Sequence, residues 1–201
     1  MKKLIPMMFL MLLAPLAARA EGPRFSWGLE WGYTGTFLRS SQHNFICEEG
    51  YRIIDNPQTW WYFSNGTVTA NAGVDLTRNI GVSAYSGLRG VYSKRWVVPA
   101  GLKIRWSPVG LDSDGLLVFA GGGAVFPTAP LRETGLEANA GAGYRIALRR
   151  GLSVDFLVSW NFTLDHENIA DPDTRKLVPR TMISSNTCEY QGINFSVALN
   201  F

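Results

Sequence analysis

From Arg24 onward, apolar residues recur at every second position in one run after another. The final stretch, YQGINFSVALNF, shows the pattern most clearly: Ile193, Phe195, Val197, Leu199 and Phe201 share one face, and Gly192, Asn194, Ser196, Ala198 and Asn200 the other. A period of two is the signature of a strand with one oily face. A terminal strand this regular needs a partner on each side.

Turn signals divide residues 21–201 into eight such segments. The first, RFSWGLEWGYTGTFL (24–38), places Phe25, Trp27, Leu29, Trp31, Tyr33 and Phe37 on one face. The second runs from about Trp60 to Leu76, and the third carries Ile80, Val82, Ala84, Leu88 and Tyr92 outward. The fourth contains Pro99, which cannot donate a ladder hydrogen bond and predicts a bulge or a late start near the outer end. The fifth, LLVFAGGGAVF (116–126), is apolar on both parities and leaves its facing open. The sixth and seventh alternate from Leu136 to Ile146 and from Leu152 to Leu164.

Connections alternate between short turns (77–79, 107–115, 149–151) and a group that includes two long polar stretches, 39–58 and 165–187. Aromatic residues gather at both ends of the segments, with Ala, Val and Leu between them. After residue 20 no apolar run is long enough for a membrane helix, so a membrane-inserted chain must be a closed barrel, the only other structure that satisfies its backbone in lipid. Ten-residue alternating segments, short turns on one side, long loops on the other and two aromatic girdles together predict an all-β fold, an eight-stranded antiparallel up-and-down transmembrane β-barrel spanning 21–201.

The first twenty residues, MKKLIPMMFLMLLAPLAARA, read as a cleaved secretory signal with a basic start, a short apolar run and an Ala-Arg-Ala cleavage site. Three of the nineteen basic residues (Lys2, Lys3, Arg19) lie in it, leaving sixteen against sixteen acidic residues. The exported protein is therefore neutral, which removes the electrostatic case for a nucleic-acid partner. Export permits oxidation, and closure makes the first and last strands neighbours. A Cys47–Cys188 disulfide joining the two long loops is the resulting expectation.

Charge segregation sets the register. Glu30, Asp75, Glu137 and Asp155, together with Arg89, Lys103, Arg105 and Arg145, all fall on the inward parity. An eight-stranded barrel is just wide enough for side chains to fill it, so these eight charges predict a lumen packed by ion pairs. A gated ion path is the alternative.

The leader, the eight segments and the terminal YQGINFSVALNF resemble the small eight-stranded outer-membrane barrels of the OmpX and OmpA-barrel type. The resemblance implies residence in the bacterial outer membrane, with lipid as the surrounding partner. It also implies that Gly192, Phe195, Val197, Leu199 and Phe201 form the C-terminal signal read by the outer-membrane assembly machinery. Of activity it implies nothing.

Candidate chemistry is sparse. Lipid-acting barrel enzymes that use a Ser-His constellation need a histidine near the membrane surface, and SWNFTLDHE brings Ser159, Asp165, His166 and Glu167 close in sequence. Ser159 is on the inward parity, however, and His166 lies well above it. Cys47, His43, His166 and Cys188 are zinc-ligand types without zinc-site spacing. The reading is a non-enzymatic structural or surface-interaction barrel working through loops 39–58 and 165–187, with no cofactor and no metal. A barrel enzyme acting on outer-leaflet lipid (lipid A) or a narrow pore are the alternatives.

Overall fold

The computed structural model describes residues 24–93, 95–128, 133–148 and 151–201; the secretory leader read over 1–20 lies outside them. Nine strands follow in order: β1 (Arg24–Ile46), β2 (Arg52–Asp55), β3 (Gln58–Asp75), β4 (Ile80–Tyr92), β5 (Arg95–Trp106), β6 (Gly115–Pro127), β7 (Gly135–Ala147), β8 (Ser153–Asp165) and β9 (Ile183–Asn200). Each of β3 to β8 pairs antiparallel with the next, β1 pairs with both β3 and β9, and β2 adds a short hairpin to the outer end of β1. Eight strands therefore close into a ring. At the seam Trp27 and Phe201 exchange backbone hydrogen bonds of 3.1 and 2.8 Å, and their rings stack at 4.2 Å.

The apolar parity faces outward. Leu102, Val68 and Phe195 are each about 60 % exposed on the outer wall, while Glu30, Arg89, Glu137, Arg145 and Asp155 are buried inside. No helix among the described residues is long and apolar enough to cross a membrane. The undecided β6 turns Leu117, Phe119 and Val125 inward and Leu116, Val118 and Phe126 outward. Both of its faces are apolar because Leu117 and Phe119 pack in the lumen with Leu157, Ala198 and Leu111. Leu111 comes from the turn between β5 and β6, which folds back to floor the barrel.

Three expectations about the outer end are corrected. Residues 39–58 are not a loop: β1 continues to Ile46 and turns through β2 into β3. The second long loop is shorter than read, since β9 already begins at Ile183. β5 runs through Pro99 without a bulge, with Pro99 opposite Val125; the β4–β5 pairing stays in register on either side of it, and the irregularity falls on β4 at Val91 instead. Pro99 interrupts the β4–β5 ladder between Ser86 opposite Ala100 and Arg89 opposite Val97 without shifting the strand.

β1 spans 23 residues, and β3 and β9 18 each, against 12 or 13 for β4 to β8. The surplus of β1 and β9 stands beyond the outer girdle of Phe37, Trp60, Trp61 and Tyr62, where Leu38 to Ile46 project roughly 20 Å at about 3.3 Å per residue less the strand tilt. A β-bulge in β1 leaves Phe37 unpaired, with Thr36 opposite Gly192 and Leu38 opposite Gln191. The extra residue reverses the parity, so that Arg39, Ser41 and Phe45 turn inward above it. The Val91 bulge likewise swings Tyr92, read as outward, against Phe63 and Tyr190 at ring distances of 4.3 and 5.8 Å.

The belt makes a direct prediction. Leu102→Arg, on the lipid face between Ala84 and Gly122, should lower unfolding stability in lipid vesicles by about 2–4 kcal/mol if it sits near the bilayer midplane. A urea-unfolding change no larger than that of a loop substitution would contradict the assigned outer face.

Candidate functional site

The eight inward charges meet as four pairs, one acid to one base. Lys103 contacts Glu30 at 2.8 Å, Arg89 contacts Glu137 at 2.7 Å, Arg145 contacts Asp155 at 2.7 Å and Arg105 contacts Asp75 at 3.3 Å. Remaining hydrogen-bond capacity is largely taken by neutral partners. Ser196 donates to Glu30 and Asn200 to Asp155, Tyr85 donates to Glu137, and Arg105 donates to Ser26. Arg145 grips Asp155 with two parallel bonds and spends a third on the carbonyl of Leu111, tying the lower plug to the wall. The Lys103 ammonium also lies 5.1 Å from the Phe119 ring centre. Gly81 shows what the arrangement demands of the backbone, because a Cβ there would come within 2.3 Å of the Asp75 carboxylate.

A void of about 10 Å³ lies among Glu30, Lys103, Arg105 and Asp155. One ordered water needs about that much, so this void between the Glu30–Lys103 pair and Asp155 has room for about one water. Removing one partner of a buried pair generally costs about 3–5 kcal/mol, because the other charge is then stranded.

A second network, not anticipated from the sequence, closes the outer mouth. Arg95 bridges Asp165 and Glu167 at 2.9 and 2.7 Å, and Arg39 reaches Glu167 from the opposite wall at 2.5 Å. The Tyr190 hydroxyl donates to Glu167, and the Arg95 guanidinium lies over the Tyr190 ring at 5.6 Å. Two features hid this cap: the Phe37 bulge that turns Arg39 inward, and the placement of Glu167 just past the end of β8. Burial alone would raise the Glu167 pKa, but hydrogen bonds from Arg39 and Tyr190 and the charge of Arg95 outweigh it and hold the carboxyl at about 2.

The expected disulfide is absent, and both cysteines are free and buried. Closure does bring β1 beside β9, but at the wrong height: Cys188 faces Ser41, with Sγ and Oγ 2.9 Å apart. Cys47 lies six positions beyond Ser41, about 20 Å up an extended strand, far outside disulfide reach. It packs there with Phe45, Ile169 and Val178.

The other candidates are likewise kept apart. Ser159 is buried in the lumen opposite Asn194, six positions below Asp165, while His166 lies 3.9 Å from Glu133 on the outer rim. Nucleophile and base are therefore about 20 Å apart along the wall. Among the described residues no three His, Cys, Asp or Glu side chains are grouped to hold a metal ion. In β9, Gly192 faces inward, while Phe195 and Phe201 project outward with Val197 and Leu199 on the same parity.

A large cavity, about 1120 Å³, opens at the outer end between the 166–182 loop and the top of β9. Ile169, Val178 and Ile183 give it an apolar side, while Ser184, Ser185, Asn186, His166 and the Arg180–Glu133 ion pair give it a polar one.

A closed antiparallel ring with an apolar outer wall, aromatic girdles and a charged lumen defines a small eight-stranded β-barrel of the bacterial outer-membrane type. Among solved structures the chain is similar to the outer membrane protein OprG from Pseudomonas aeruginosa, with 10 % identity over 88 % of this chain and 95 % of that one and a TM-score of 0.46. It is similar to the outer membrane protein AlkL, solved in lipid bilayers, with 13 % identity over 92 % and 94 % and a TM-score of 0.48. It is also similar to the outer membrane protease OmpT from Escherichia coli, with 9 % identity over 90 % and 99 % and a TM-score of 0.39. No family model matches the chain, and no curated protein matches it.

The cap gives a pH prediction. Because the Glu167 pKa is lowered in the folded state, its contribution is fully present above its ordinary value of 4.5 and is lost as pH falls toward about 2. The thermal-midpoint advantage of the parent protein over Glu167→Gln in detergent should therefore be constant above pH 4.5 and shrink below it. An advantage unchanged down to pH 2 would contradict the cap.

Proposed function

We propose that this protein is a non-enzymatic surface-interaction barrel of the outer membrane, working through its outer extension. The observation that carries the reading is a contrast of volumes. The void among Glu30, Lys103, Arg105 and Asp155 in the lumen measures about 10 Å³, whereas the extension above the girdle holds a cavity of about 1120 Å³. Transport through a narrow pore needs a continuous wet path, and four ion pairs, the Leu111 plug and the Glu167 cap occupy that path.

The lipid-acting enzyme is less well supported. It needs a nucleophile in contact with a base, and Ser159 and His166 lie at different heights. In biogenesis, the terminal strand with Gly192, Phe195, Val197, Leu199 and Phe201 would present its outward apolar row to the outer-membrane assembly machinery.

Two measurements, one on purified protein and one in cells, test the proposal. Reconstituted in planar bilayers, the protein should give no conductance steps. In cells, lipid A profiles by mass spectrometry should be the same for the parent and for His166→Ala. Steady conductance, or a lipid A modification lost in the variant, would overturn the non-enzymatic surface reading.

A further inference from the structure

The chain has two histidines. His166 lies on the rim of the outer cavity, whereas His43 stands in the projecting part of β1, opposite Asp55 of β2 on one side and Asn186 of β9 on the other. Residues opposite each other in an antiparallel pair share a face, so His43 continues the inward row of Arg39 and Ser41. Its Nε2 is buried and meets no hydrogen-bond partner within the protein. Across the ladder the Asn186 side-chain oxygen is also buried and unpartnered, while the nitrogen of the same amide donates to the Glu167 backbone carbonyl. That bond ties the root of the 166–182 loop to the top of β9, and both Asn186 and Glu167 line the cavity.

The protonation state of His43 decides what this joint tolerates. A neutral imidazole carries one N–H and can leave its other nitrogen bare, but a protonated one carries an N–H on both. A buried, charged N–H left without an acceptor is costly. Most of the charged groups facing His43 offer none. Arg39, on its own strand, is a cation. Glu167, from the loop, has its oxygens engaged by Arg39, Arg95, Tyr190 and the Cys188 thiol. Cys188, one pair lower on β9, is itself spent on Glu167 and Ser41. Asp55, on β2, is exposed. Burial is the largest influence on the imidazole and lowers its pKa below the ordinary 6.5; the Glu167 charge opposes this, Arg39 reinforces it and Asp55 opposes it.

We infer that His43 and Asn186 form a pH-sensitive switch in the wall of the outer cavity. At neutral pH the Asn186 amide holds the loop through the Glu167 carbonyl. In acid, the protonated His43 donates from Nε2 to the Asn186 side-chain oxygen, the buried acceptor directly across the ladder. The two atoms are not bonded in the closed arrangement. The amide must therefore turn to meet the imidazole, and turning it breaks the bond to the Glu167 carbonyl. The Glu167 side chain stays in its cap, held by Arg39, Arg95 and Tyr190. What changes is the backbone tie above the cap and the polar groups that the cavity presents. Because the closed arrangement favours the neutral imidazole, it is fully favoured above 6.5 and loses ground as pH falls through the lowered value. The switch goes beyond the surface-interaction reading and does not depend on the identity of a ligand.

The test is a titration followed by NMR on isotope-labelled full-length protein in detergent micelles, from about pH 7.5 to about pH 5, across the range where an imidazole changes charge. The His43 ring signals should titrate with a midpoint below 6.5, and the Asn186 side-chain amide signals should shift with that same midpoint. In His43→Gln, which takes up no proton, the Asn186 shift should disappear. In Asn186→Ala the His43 midpoint should move to still lower pH, because its acceptor is gone; a merely structural Asn186 would leave that midpoint in place. Asp55→Asn should keep the Asn186 response. Each variant is read only with the heat-dependent shift of a folded barrel on SDS gels, and the parent titration needs no variant at all. A His43 midpoint at or above 6.5, an Asn186 amide that does not respond in the parent, a response that survives His43→Gln or vanishes in Asp55→Asn, or a His43 midpoint indifferent to Asn186→Ala would each overturn the inference.

Discussion

Everything in this molecule depends on the pairing of β1 with β9. In a hydrocarbon environment each unsatisfied backbone N–H or C=O costs several kcal/mol, so a sheet can live there only if it has no edge. The seam runs from Gly28 opposite Asn200 to Phe45 opposite Ile183. Closing it fixes which parity meets lipid and which meets the lumen, and a slip of one residue would exchange the two faces of a strand. The interior charges are therefore a consequence of closure as much as a contributor to stability. Once the ring is closed with this register, Glu30, Asp75, Glu137 and Asp155 have no destination except the lumen, and each finds one base there.

A narrow barrel filled in this way suits the proposed role of a closed platform better than that of a conduit. The lower end is floored by Leu111 and the upper end is capped by Glu167, so the wall between them has little freedom to breathe. Above the cap the constraint from lipid disappears, and with it the need for a closed ring. β1, β3 and β9 continue upward without the neighbours that β4 and β8 provided, leaving strand edges beside water. The proposed interaction surface and the open edges share one cause: both begin where hydrocarbon ends.

The parts of this structure that were legible in the sequence are those on which lipid imposes a pattern. The outward row Ile193 to Phe201, the two girdles and the inward charges were all readable because a membrane tolerates few exceptions to them. Where that pressure is absent, parity carried less information. The bulge at Phe37 is invisible to counting, since Phe37 itself suits the outer girdle while Arg39 beyond it has already turned inward. The same holds for Val91 and Tyr92. β6 was ambiguous for a different reason, namely that Leu117 and Phe119 face a locally apolar lumen. The extension looked like a loop because both faces of its strands meet water or each other. The cysteine pairing failed on height alone, for the neighbouring strands were the right ones and Ser41 stands where Cys47 was expected.

The free thiols offer the most direct check on a sealed barrel. Cys188 lies at the outer mouth under the Glu167 cap, and Cys47 is buried in the extension, with neither bonded to the other. Folded protein in detergent, never exposed to reductant, is treated with a small maleimide before and after heating in SDS, and the adducts are counted by mass spectrometry. The account predicts no rapid labelling of Cys188 in the folded barrel and two labels per chain after unfolding. Rapid labelling of Cys188 in the folded state would mean an open mouth, and no labels after unfolding would mean a disulfide; either result contradicts the closed, thiol-bearing barrel described above.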